Sequence, residues 1–109
     1  ARYLIEGANM PTTNEAVQYL MENGCVVAPA KAANAGGVAC SCLEMAQNAE
    51  HLIWNKERVY DELENIMVHI FKITEEACAK YNLGENLVAG ANIAGFERVA
   101  EAMMMQGIV

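Results

Sequence analysis

Two glycine- and asparagine-bearing loops, each placed between a β-type run and a helix-type pattern, constrain this chain more than any other feature. Gly7-Ala8-Asn9-Met10-Pro11-Thr12-Thr13 follows Tyr3-Leu4-Ile5, and Ala33-Asn34-Ala35-Gly36-Gly37-Val38 follows Cys25-Val26-Val27-Ala28-Pro29. The helix between them is about long enough to return the chain for a second parallel strand. A right-handed crossover is the rule for such a unit. Both asparagines then stand at the carboxyl ends of neighbouring strands, where open α/β sheets bind their ligands. The expected class is therefore α/β.

The rest of the chain reads as helix. Thr12 with Glu15 makes a capping box for the first helix, and Gly24 supplies its left-handed stop. A second helix spans about Ala39 to Leu52, with Leu43, Ala46 and Leu52 apolar. Asn55 caps the next, in which Val59, Leu63, Ile66, Met67, Ile70, Ile73, Ala77 and Tyr81 recur at three- and four-residue steps. That helix runs about 26 residues, roughly 39 Å at the standard rise, and ends at Asn82-Leu83-Gly84. The last helix runs from about Leu87 to Gln106 and is closed by Gly107. It carries Gly90 and Gly95, each costing about 1 kcal/mol against alanine, so close helix approach or a nearby ligand should compensate. Met103-Met104-Met105 reads as core filler and helix surface. The division expected is 1–38 as a βαβ piece of a dinucleotide-binding domain and 39–109 as carboxyl-terminal helices. Two parallel strands make a poor sheet alone, so the sheet should begin upstream or be completed by another copy. The start at Ala1-Arg2-Tyr3, directly in a strand pattern, is what an excised piece of a longer chain looks like.

Composition excludes several classes. With 109 residues, 54% of them apolar and 19% charged, the chain is one domain at most and buries surface against itself or a partner. A net charge of −7 with scattered Lys and Arg argues against nucleic acid. No stretch approaches the ~20 apolar residues of a membrane span. Cys25, Cys40, Cys42 and Cys78 have neither disulfide-framework nor metal-site spacing with His51 and His69, so no metal is expected. They read as reduced, mostly buried thiols of a cytosolic protein.

An asparagine amide offers an acceptor and a donor together, which complements a carboxamide or ribose hydroxyls. Gly7, Ala8, Ala35, Gly36 and Gly37 leave room for a flat ring against the backbone. Ser41, one turn into the following helix, has a hydroxyl that can reach a carboxylate. The plainer alternative is that Asn9 stabilises a turn, Asn34 caps a helix and Ser41 bonds its own helix.

The string Glu6-Gly7-Ala8-Asn9-Met10-Pro11-Thr12-Thr13, with Ala28-Pro29-Ala30-Lys31-Ala32-Ala33-Asn34-Ala35-Gly36-Gly37-Val38, closely resembles the hexameric glutamate dehydrogenase family. Leu43-Glu44-Met45-Ala46-Gln47-Asn48 and Leu87-Val88-Ala89-Gly90-Ala91-Asn92-Ile93-Ala94-Gly95-Phe96 extend the resemblance over essentially the whole chain. It implies the carboxyl-terminal half of a Rossmann-like domain followed by helices returning toward a substrate domain. It also implies the reversible oxidative deamination of L-glutamate to 2-oxoglutarate and ammonia, with hydride passing to NAD or NADP. Gly7, Ala8, Asn9 and Asn34 would be cofactor-binding, with Asn34 on the nicotinamide carboxamide. Val38 and Ser41 would line the glutamate pocket, Ser41 on the side-chain carboxylate. The whole enzyme would be a cytoplasmic homo-oligomer, a hexamer. The glycine-rich pyrophosphate turn and the family's catalytic lysine and aspartate are absent from these residues. No catalytic residue is therefore expected here, and Lys31 reads as a loop or surface lysine. The segment alone should be inactive. Glu-Gly-Ala-Asn leans toward the NADP-specific members. A relative acting on leucine, valine or phenylalanine would leave Ser41 without a polar partner. A free-standing nucleotide-binding module and an oligomerising structural fragment are the readings from other classes.

Overall fold

In the computed structural model, which describes residues 1–107, the chain runs β1 (Tyr3–Ile5), α1 (Asn14–Glu22), β2 (Val26–Ala28), α2 (Ala30–Ala33), α3 (Gly36–Glu50), α4 (Lys56–Lys80) and α5 (Leu87–Gln106). The two strands are parallel, with Tyr3 opposite Val26, Leu4 opposite Val27 and Ile5 opposite Ala28. Their ladder is extended by Val26 N–H donating to Arg2 O and Glu6 N–H donating to Ala28 O. α1 is the crossover between them.

Local chemistry explains most of the boundaries. α1 is capped by Thr13, whose hydroxyl accepts from Ala16 N–H at 3.3 Å. The expected Thr12–Glu15 box is displaced by one residue, because the turn through Met10 and Pro11 delivers Thr13 in extended conformation at the helix start. Gly24 adopts φ +80° just beyond α1, the left-handed stop that lets the chain turn into β2. Asn55 accepts from Arg58 N–H at 2.9 Å and starts α4. Asn86 does the same for α5 through Ala89 N–H.

Three features depart from the sequence reading. A one-turn helix, α2, intervenes between β2 and α3. α3 starts at Gly36 rather than Ala39, so a division at 38/39 falls inside a helix. It also ends at Glu50, leaving Leu52 outside it and exposed. There Trp54 Nε1 donates to Glu50 Oε2 at 2.8 Å, and the Arg58 guanidinium stacks 3.8 Å from the Trp54 ring centroid. This clasp closes the α3–α4 corner.

Few of the described residues are buried: Cys25, Val27, Pro29, Ala30, Ala39, Ala77, Cys78 and Gly90, joined by the polar Glu6 and Thr74. Thr74, Ala77, Cys78 and Gly90 mark where α4 and α5 pack together. Gly90 permits that packing. A Cβ built there would stand 2.4 Å from Cys78 Sγ and 2.8 Å from the Thr74 carbonyl oxygen. Gly95 has nothing within 4 Å, so no close helix approach compensates for its cost among the described residues. Two of the four thiols, Cys40 and Cys42, are exposed rather than buried, because α3 packs through Ala39 and turns both outward. Met103, Met104 and Met105 are likewise exposed, so they are helix surface, as one half of the reading had it, and not core filler.

Candidate functional site

Asn9 and Asn34 lie 25 positions apart in sequence and meet in space. Asn34 Nδ2 donates to Asn9 Oδ1 at 2.6 Å. Each residue reaches that position for a separate local reason. Asn9 follows the end of β1, and Met10 beside it takes a left-handed φ of +47°, which turns the chain sharply into Pro11. Asn34 is the C-cap of α2, its N–H donating to Ala30 O at 2.8 Å. The parallel register of β1 and β2 brings both loops to the same sheet edge.

The bond between the two amides uses one donor and one acceptor. Among the described residues, no other side-chain bond engages Asn34 Oδ1 or Asn9 Nδ2. A carboxamide presents the complementary donor and acceptor. Gly7 and Gly37 flank the pair with open space: a Cβ at either would meet nothing within 4 Å. Gly36 differs, since a Cβ there would meet Met67 Sδ at 3.5 Å and Leu63 Cδ1 at 3.8 Å. Gly36 therefore faces α4 at ordinary packing distance, while Gly37 faces outward. These donors, acceptors and open backbone are complementary to a planar group bearing a carboxamide.

Asn9 also lines a cavity of about 860 Å³ with Glu6, Thr12, Pro29, Lys31 and Asn92. Two members of this group make contacts that the sequence reading did not assign, although Lys31 is exposed, as a surface lysine should be. Glu6 is 7% exposed, and its Oε2 accepts from Ala30 N–H at 2.9 Å. Lys31, exposed on α2, donates to Asn92 Oδ1 and so ties α2 to α5. The only hint of either in the sequence was a lone acid closing an apolar strand and a lone lysine within small residues.

The substrate-side candidates are placed differently. Val38 and Ser41 both lie on α3, and both are exposed. Ser41 Oγ donates to Gly37 O at 3.4 Å, a bond to its own helix. It borders a hollow of about 240 Å³ with Cys40, Gln47 and Trp54, not the cavity at Asn9. Within this chain, then, the asparagines are brought together and Ser41 and Val38 are not joined to them in one enclosure. Among the described residues no group of three or more His, Cys, Asp or Glu could hold a metal ion, and no helix is long and apolar enough to cross a membrane.

Comparison with known proteins identifies the family of the chain. The sequence profile of the Glutamate/Leucine/Phenylalanine/Valine dehydrogenase family matches residues 1–107. Over 108 residues the chain is 55% identical to the NAD-specific glutamate dehydrogenase of Clostridium symbiosum, covering 98% of this chain and 24% of that protein. It is also 55% identical over 107 residues to the NADP-specific glutamate dehydrogenase of Salmonella typhi, covering 95% of this chain and 23% of that protein. Both NAD-specific and NADP-specific enzymes are thus among the relatives of this segment. A solved glutamate dehydrogenase superposes with a TM-score of 0.93 at 54% identity, over 99% of this chain and 24% of that one. The hetero-hexameric glutamate dehydrogenase of Thermus thermophilus, in its Leu-bound form, gives 0.91 at 28% identity, over 100% of this chain and 26% of that one. The chain thus spans about a quarter of the length of these relatives. Its described residues, matched from first to last, belong to the glutamate/leucine/phenylalanine/valine dehydrogenase family.

Proposed function

We propose that the protein containing this segment interconverts L-glutamate with 2-oxoglutarate and ammonia, passing hydride to or from NAD(P), and that these residues form the nicotinamide side of its site. The observation that carries this reading is the Asn9–Asn34 pair, with one donor and one acceptor unused beside open glycine backbone. Nicotinamide supplies the hydride-transfer chemistry. The residues here bind and orient it: Asn34 Oδ1 accepts from the carboxamide N–H, and Asn9 Nδ2 donates to the carboxamide oxygen or a ribose hydroxyl. Gly7 and Ala8 let the ring and its ribose lie against the β1–α1 turn.

Val38 and Ser41 then belong to a pocket whose other wall the rest of the protein provides. The 3.4 Å bond from Ser41 to Gly37 O is long and gives way to a shorter, charge-assisted bond on the glutamate side-chain carboxylate. An apolar amino acid would leave that hydroxyl without a gain. This favours glutamate over leucine, valine or phenylalanine, the other substrates in the family's name. The same reading makes β1–α1–β2 part of the carboxyl-terminal half of a Rossmann-like domain and the whole protein a cytoplasmic homo-hexamer.

The test is an assay of the full-length protein for NAD(P)H oxidation with ammonium and either 2-oxoglutarate or the oxo-acid of leucine. Turnover with 2-oxoglutarate alone is expected. Asn34→Ala should raise the KM for NAD(P)H roughly tenfold, the loss of one or two net hydrogen bonds. Preference for the leucine oxo-acid would overturn the substrate assignment.

A further inference from the structure

A continuous run of hydrogen bonds leads from a buried acid to the amide pair. Glu6 Oε2 accepts from Ala30 N–H at 2.9 Å, Ala30 O accepts from Asn34 N–H at 2.8 Å, and Asn34 Nδ2 donates to Asn9 Oδ1 at 2.6 Å. Asn9 is three residues from Glu6, so the run closes on itself across the two loops. We propose that Glu6 is a positioning residue for the nicotinamide site: its carboxylate fixes the β2–α2 link, and through it the Asn34 amide, against the end of β1. This rests on the nicotinamide reading given above.

The link needs such an anchor. α2 has four residues, too few to be held by its own helix propensity. Pro29, its N-cap, offers no side-chain acceptor, so the first amide of α2 is an orphan unless another element reaches it. Glu6 does so from 24 positions away. It is 7% exposed, and its second oxygen, Oε1, is buried and receives no bond from a described protein group. Burying a carboxylate on a single bond is unfavourable, and an apolar residue closing β1 would have cost less. What the carboxylate contributes is the position of Ala30. A glutamine has the same reach and an acceptor for Ala30 N–H. An aspartate is shorter by one carbon–carbon bond, about 1.5 Å, and does not span the gap.

The experiment measures two dissociation constants in the full-length protein: one for NAD(P)H and one for the matching adenosine diphosphoribose, which lacks the nicotinamide. Glu6→Ala and Glu6→Asp should weaken NAD(P)H roughly tenfold and leave the nicotinamide-free nucleotide unchanged, as expected for loss of one buried bond. Glu6→Gln should restore NAD(P)H affinity to within about twofold. Should Glu6→Ala not fold, Ala30→Pro removes the donor instead. Proline suits the first helical position, and Pro29 already has the ψ of +149° that a following proline requires. It should reproduce the selective loss. Equal weakening of both nucleotides, no weakening in a folded Ala30→Pro protein, or failure of Glu6→Gln to restore binding would overturn the role of Glu6. A wild-type protein binding neither nucleotide would instead overturn the functional reading, and this proposal with it.

Discussion

Asn34 shows what one side chain can contribute at a loop–helix junction. Its backbone closes α2, and its amide bonds Asn9 while leaving an acceptor unused. The plain structural role and the proposed binding role therefore fall to different atoms of one residue. Ser41 is the contrasting case. Its hydroxyl bonds only Gly37 O within this chain, and it stands exposed on α3. If it contacts the substrate carboxylate, Ser41→Val in the full-length protein raises the KM for glutamate by tenfold or more and leaves the KM for NAD(P) within about twofold. Steady-state kinetics with each substrate varied in turn make the check.

Between elements, the α4–α5 pairing rests on one close approach and one polar clasp. At Gly90 the approach is tight enough that Gly90→Ala must displace both Cys78 and the Thr74 backbone, a cost of about 1–3 kcal/mol as overpacking. Gly95→Ala meets nothing within 4 Å and should gain helix propensity, up to about 1 kcal/mol. Opposite shifts in melting temperature for these two single-methyl additions are the expected result. The clasp is Glu97, which accepts from Lys80 Nζ and, at 2.6 Å, from Tyr81 Oη. The bond from Lys80, then that from Tyr81, holds the Glu97 carboxyl below its ordinary value, and the same contact with Glu97 raises Lys80. A depressed carboxyl stabilises the fold above its unfolded pKa, and that contribution disappears as pH falls through the folded value. The raised ammonium contributes below its own unfolded pKa and is lost as pH climbs through its folded one. The clasp is therefore complete from just above the carboxylate range up to the lysine range. Wild type should melt above Glu97→Gln at neutral pH, and the gap should close below about pH 4. Melting curves over that range measure it.

At the scale of the whole molecule, the chain is spread out. Its radius of gyration is 16.5 Å, with extents of 50 × 41 × 23 Å, where a compact chain of this length has about 13 Å. Among the described residues, only Val27 of the bulky side chains is fully buried. Tyr3, Ile5 and Phe71 are more than half exposed and line an open groove of about 600 Å³ between the sheet and α4. Ile5 and Phe71 also border a strongly apolar hollow with Met67 and Leu87. Such continuous apolar surface is a place for further protein to pack. The 109-residue segment produced alone should enhance and blue-shift the fluorescence of a hydrophobic dye such as ANS, and the full-length protein should not. A titration of both at equal concentration decides it.

Much of this was already written in the sequence. The βαβ order, the Asn55 cap, the Gly24 stop and the span Leu87–Gln106 follow from local rules: caps, left-handed glycines and apolar periodicity act over a few residues, so a few residues suffice to read them. The meeting of Asn9 and Asn34 was also legible, because parallel strands leave their loops on one edge. Other features needed three dimensions. Thr13 rather than Thr12 caps α1 because the turn at Met10 sets which hydroxyl faces the helix. Gly90 and Gly95 look alike in the string, yet only the one opposite Thr74 and Cys78 permits close helix packing. The exposure of Cys40, Cys42 and Met103–Met105 depends on where neighbouring elements stop. Glu6 was invisible for the same reason: its partner, Ala30, lies 24 positions away. Residue types and short spacings settled the elements and the pair of amides. Long-range packing decided which identical-looking residues touch, and hence which of them do anything.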